Sequence, residues 1–91
     1  MAHVHDTKDQ ILARIRRIAG QIAALERTVQ SGAGCSETLH QVAGIRGAVS
    51  GLMSELIEDH MANHVAAPGL TNKQRAAAAE ELSTLLRRHG R

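Results

Sequence analysis

With 91 residues and 11 Lys+Arg against 9 Asp+Glu, the chain carries a formal charge of +2, too little for charge alone to announce a nucleic-acid partner. It has no Phe, Tyr or Trp, which removes the stacking platforms that single-stranded nucleic acid uses. Its one cysteine excludes an intramolecular disulfide and suits a reducing cytosol.

Residues 1–6 read as a flexible N-terminal arm carrying Ala2, His3 and His5. Helix 1 is expected over about residues 7–31. Thr7-Lys8-Asp9-Gln10 is a capping box, in which the Thr and Gln side chains satisfy free N–H groups of a first turn. Ile11, Ile15, Ile18, Ile22, Leu25 and Val29 then recur at alternating steps of four and three, the seam of a helix packed on another helix. Ser31-Gly32-Ala33-Gly34 supplies the glycines that stop it.

Helix 2 is expected over about 36–65, roughly 45 Å long at 1.5 Å per residue, with Leu39, Val42, Ile45, Val49, Leu52 and Leu56 keeping the same period. Gly44, Gly47 and Gly51 recur inside it, weakening helix propensity but allowing another backbone to come close. Ala66-Ala67-Pro68-Gly69 is a break, and a second capping box, Thr71-Asn72-Lys73-Gln74, opens helix 3 over about 71–88. The chain is therefore a single all-α domain, residues 1–91, whose first two helices form an antiparallel hairpin. No apolar run approaches the length of a membrane span and the N-terminus is polar, so a cytoplasmic protein without a signal peptide is expected.

A chain this short, with no aromatic residue, has a thin core, and oligomerisation is its natural support. His60 and His64 are four apart on helix 2, about 40° apart around the axis and one turn apart along it, so both can reach one ion. Adding the Cys35 thiolate gives a donor set that suits borderline metals such as nickel, cobalt, zinc and copper. Cys35 and His60 lie roughly 37 Å apart on a continuous helix and cannot share an ion within one chain. Antiparallel pairing of helix 2 with its copy in a second protomer would bring them together twice, by symmetry, and would close a four-helix bundle. His3 could add a donor from the arm, as could the Ala2 amine if Met1 is removed. His40 reads as surface.

The stretch Arg14 to Gln21 (RIRRIAGQ), followed by Cys35, by Gln41 to Met53 (QVAGIRGAVSGLM) and by His60, resembles the CsoR/RcnR family of bacterial repressors along nearly the whole chain. The resemblance implies a three-helix protomer, an antiparallel four-helix-bundle dimer and a dimer of dimers that binds double-stranded operator DNA. No Ser/His/Asp or paired-carboxylate arrangement stands out, so no enzymatic activity is expected. The four sensing positions read His3, Cys35, His60 and His64, the pattern of the RcnR-type nickel and cobalt sensors, with zinc left open. The second cysteine of the copper and persulfide sensors is absent. The formaldehyde-sensing (FrmR-related) branch is the competing reading, since it needs only the family cysteine and an N-terminal amine, here Cys35 and Ala2.

On helix 1, Gln10, Arg14, Arg17 and Gln21 share a stripe about 60° wide beside the apolar seam, a candidate phosphate track. Arg14 and Arg17 resemble the family's DNA-contacting positions, as does Arg46 on helix 2, for which a structural salt bridge is the other reading. A metal-buffering protein that never touches DNA is the alternative from a different class, and it has no use for such a stripe.

Overall fold

A computed structural model describes the backbone of residues 2–89 and the side chains of residues 7–89. It contains three α-helices, α1 (Ala2–Gln30), α2 (Cys35–His60) and α3 (Asn72–His89), and a π-helical turn, Met61–Val65, directly after α2. No strand occurs among the described residues, and the all-α class is as the periodicity implies. No helix among them is long and apolar enough to cross a membrane. The chain divides into two compact units, Met1–Glu55 and Leu56–Arg91.

In the first unit, α1 starts at Ala2, earlier than the capping box at Thr7 suggests. Residues 2–6 contain neither Pro nor Gly, and an established helix gains one hydrogen bond for each residue it adds, so the helix runs through the segment read as a flexible arm. Its C-terminus matches expectation. Gly32 adopts φ +75°, the left-handed conformation that glycine takes without steric cost. The Ala33 N–H donates to the Thr28 carbonyl at 3.3 Å and the Gly32 N–H to the Val29 carbonyl at 3.1 Å, the paired bonds of a Schellman cap. That cap turns the chain into α2, whose Glu55 reaches back to Arg14 on α1, so the two helices form an antiparallel hairpin.

The apolar seam of this hairpin divides into two heptad-spaced stripes. Ile11, Ile18 and Leu25 are shielded, Ile18 to 8% exposure, whereas Ile15, Ile22 and Val29 remain 43%, 52% and 60% exposed. On α2, Ile45 and Leu52 are half-buried while Val42 and Val49 are 44% and 46% exposed. A helix with one neighbour covers only part of its seam, and a bundle of four would cover the rest.

In the second unit, α2 ends at His60 and the chain widens into Met61–Val65, closed by the Ala66 N–H donating to the Met61 carbonyl five residues back at 2.8 Å. Helix 2 of the sequence reading thus reaches its expected end with a different winding. The Asn63 amide contributes, because it donates to the Asp59 carbonyl and carboxylate at 2.9 and 3.0 Å and so competes with the main-chain ladder. After the break, Gly69 has φ +86° behind Pro68, the residue order of a type II turn. The Thr71 capping box forms reciprocally: the Gln74 N–H donates to Thr71 Oγ1 at 3.0 Å and the Thr71 N–H to Gln74 Oε1 at 2.9 Å. Thr71→Ala should cost about 1 kcal/mol, read as a fall in Tm of about 5 °C by circular dichroism; an unchanged Tm would show that this cap does not limit stability.

Candidate functional site

The second unit brings two predicted metal ligands together. His60, the last residue of α2, and His64, within the π-helical turn, have ring centroids 5.0 Å apart and planes inclined by 43°. A π-turn at this point is in keeping with where such turns concentrate, namely at functional sites. His60 Nε2 lies 3.2 Å from the Ala78 carbonyl on α3. A carbonyl oxygen can only accept, so Nε2 carries the hydrogen and Nδ1 is left outside this contact. This is how metal-binding histidines are ordinarily oriented, with the second ring nitrogen donating to a fixed oxygen.

The two imidazoles form one side of an open depression whose other side is Gln74, Ala77, Ala78 and Glu81 of α3. Two features seat α3 there. One is the Thr71 cap. The other is Arg75, which the sequence reading did not single out: its Nη1 donates to the Val65 carbonyl and, at 3.4 Å, to that of Ala67, and its Nη2 donates to the Leu70 carbonyl at 3.2 Å. One guanidinium fork thereby fixes the whole connection between the π-turn and α3.

Among the described residues, no three His, Cys, Asp or Glu side chains stand close enough to hold an ion together. The histidine pair offers two nitrogen donors, with the Glu81 carboxylate lining the same depression, a chemistry that fits nickel, cobalt or zinc once further donors arrive. Cys35 belongs to the first unit, where its thiol is free and exposed. His40 is exposed. The remaining predicted donors, His3 and the Ala2 amine, lie with His5 outside the residues whose side chains are described.

The candidate DNA residues lie in the first unit and behave differently from one another. Arg17, Gln21 and Arg46 are exposed, and among the described residues Arg46 forms no ion pair within the chain. Arg14 folds back onto α2. Its Nε donates to Glu55 Oε1 at 2.8 Å, and its Nη1 stands only 2.6 Å from where a Cβ on Gly51 would be. Of the three helix 2 glycines, Gly51 therefore admits a side chain of the same chain, while Gly44 and Gly47 face open space.

The sequence profile of a family described as metal-sensitive transcriptional repressors matches residues 7–88. The chain belongs to this family, which is one of transcriptional regulators and not of enzymes. It is 48% identical over 87 residues to an uncharacterized protein of the bioA 5′ region of Serratia marcescens, covering 96% of each chain. It is 36% identical over 87 residues to the transcriptional repressor RcnR of Salmonella arizonae, covering 96% of this chain and 92% of that one. Among solved structures, it is similar to a variant of the formaldehyde-responsive regulator FrmR from Salmonella enterica serovar Typhimurium in which a glutamate is replaced by histidine. The TM-score is 0.87 at 45% identity, over 92% of this chain and 94% of that one. The family resemblance read from RIRRIAGQ and the Cys35/His60 positions is therefore correct.

Proposed function

We propose that the protein is a repressor that binds operator DNA through Arg14, Arg17, Gln21 and Arg46 and releases it on binding nickel or cobalt, with zinc as a further candidate. The observation that carries the effector reading is the His60–His64 pair, its rings 5.0 Å apart and His60 held by Ala78 with Nδ1 outside that contact. Cys35 of a partner protomer completes the site, with His3 and the N-terminal amine as donors from the N-terminus. Nickel and cobalt take more ligands than a two-coordinate thiolate site provides, so this mixed set suits them.

The exposed stripes Ile15/Ile22/Val29 and Val42/Val49 support assembly with a second copy into an antiparallel four-helix bundle, and then a dimer of dimers. Opposite ends of α2 carry Cys35 and His60, so an antiparallel pairing makes two equivalent sites. The site and the DNA-binding stripe couple by binding effector with different affinity in the free and DNA-bound forms, by about 1–3 kcal/mol.

The formaldehyde reading is favoured by one observation, the 45% identity to the FrmR variant against 36% to RcnR. There the N-terminal amine adds to formaldehyde, water leaves, and the Cys35 thiolate closes an N–CH2–S bridge.

Cobalt spectroscopy tests the site. Cobalt(II) loading should give the near-ultraviolet absorption of a cobalt–thiolate bond, absent from Cys35→Ala and from His60→Ala. Refolding those two variants together should restore one intact site in each mixed dimer; no recovery from the mixture would refute a site shared between protomers.

A further inference from the structure

The contact between Arg14 and α2 carries a role for a residue that the proposed DNA track does not include. Three observations converge on it. Arg14 Nε donates to Glu55 Oε1 at 2.8 Å, joining residues 41 apart in the sequence. The guanidinium also occupies the space that the missing Cβ of Gly51 leaves, with Nη1 at 2.6 Å from that position. As a result the Arg14 side chain is 34% exposed and that of Glu55 21%, while Arg17 and Gln21 of the same track stand exposed.

A guanidinium with its Nε on a carboxylate and its Nη1 over Gly51 presents only part of its donor fork to a phosphate. We infer that Glu55, seated one turn beyond Gly51, is a positioning residue that holds Arg14 back from DNA, so that operator binding exchanges the Glu55 carboxylate for a DNA phosphate. Glu55 therefore sets how readily the repressor grips its operator. The inference rests on the reading of Arg14 as a DNA contact. Gly51 is the second part of the device: any side chain there would displace the guanidinium, because its far end is flexible and α2 is not.

The exchange predicts a gain of function. Exposed and half-exposed ion pairs contribute modestly, so Glu55→Gln should tighten operator binding of the effector-free protein by about two- to fivefold. Gly51→Ala should do the same by pushing Arg14 off its seat. It also replaces a helix-interior glycine by the best helix former, so folding is not put at risk. The Arg14→Ala/Glu55→Gln double variant should bind no more tightly than Arg14→Ala alone, since no latched group remains to be freed. Fluorescence anisotropy on the protein's own promoter duplex, with wild type and the four variants compared at one low salt concentration where Arg14→Ala still binds measurably, reads all of this. A gain from Glu55→Gln that persists without Arg14 would show a general effect of removing negative charge and overturn the latch. Weaker binding by folded Gly51→Ala would show that the seat presents Arg14 to DNA, which also overturns it. Arg14→Ala binding as tightly as wild type would instead refute the DNA role of Arg14 on which the inference rests.

Discussion

Ile22→Asp should leave the protein monomeric and largely unfolded. Ile22 sits in the centre of the exposed stripe on α1, 52% exposed in the single chain, and in the proposed bundle it faces the partner. Each dimer then loses two buried isoleucines, at about 1.5–3 kcal/mol each. It also gains two carboxylates without partners, each costing several kcal/mol to desolvate. The sum is on the order of 10 kcal/mol, comparable with the whole stability of an ordinary domain. Within the single chain only Ile18 and Ala78 are buried among the described apolar residues, so little core remains once assembly is blocked. Sedimentation equilibrium with circular dichroism checks this. A folded variant of wild-type mass would show that the stripe faces solvent in the assembled protein.

Arg14→Ala should abolish operator binding at physiological salt while leaving metal binding intact. A hydrogen bond to a charged group contributes about 1.5–3 kcal/mol, so two protomers engaging one duplex would lose about 100-fold in affinity or more. The salt dependence should also become shallower, by about one unit of slope for each lost phosphate contact. Cobalt absorption should be unchanged, because Arg14 bonds to Glu55 and lies over Gly51, both in the first unit, and is not a donor of the proposed metal site. Operator binding that survives the substitution at every salt concentration would move the DNA interface to Arg17, Gln21 and Arg46.

Local chemistry was legible in the sequence where it is completed within a few residues. The Thr71–Gln74 box forms as read because both its bonds are set by a three-residue spacing, and Gly32 ends α1 because only glycine enters the left-handed region freely. His60 and His64 meet because four residues bring a helix round to one face, even though the winding between them is π and not α. The same local rule misleads at Thr7, where a good capping sequence lies inside a helix that nothing upstream stops. Pairings that depend on how elements register were not legible. Arg14 and Glu55 could each be placed on a helix, but their meeting depends on the hairpin register. Arg75 was missed for a related reason: its partners are main-chain carbonyls of a loop, which leave no signature in side-chain chemistry. A basic residue one position past a capping box, behind a Pro-Gly break, is the signal that could have found it.

In the proposed mechanism, filling the histidine site frees DNA. This step is tested most directly by saturating a labelled fragment of the protein's own promoter with metal-free protein and titrating nickel while following anisotropy, with formaldehyde titrated in parallel. Nickel at low concentration should release the wild type and leave His64→Ala bound. Release by formaldehyde alone, equal in wild type and His64→Ala, would contradict this mechanism and make Cys35 and the N-terminal amine the sensor.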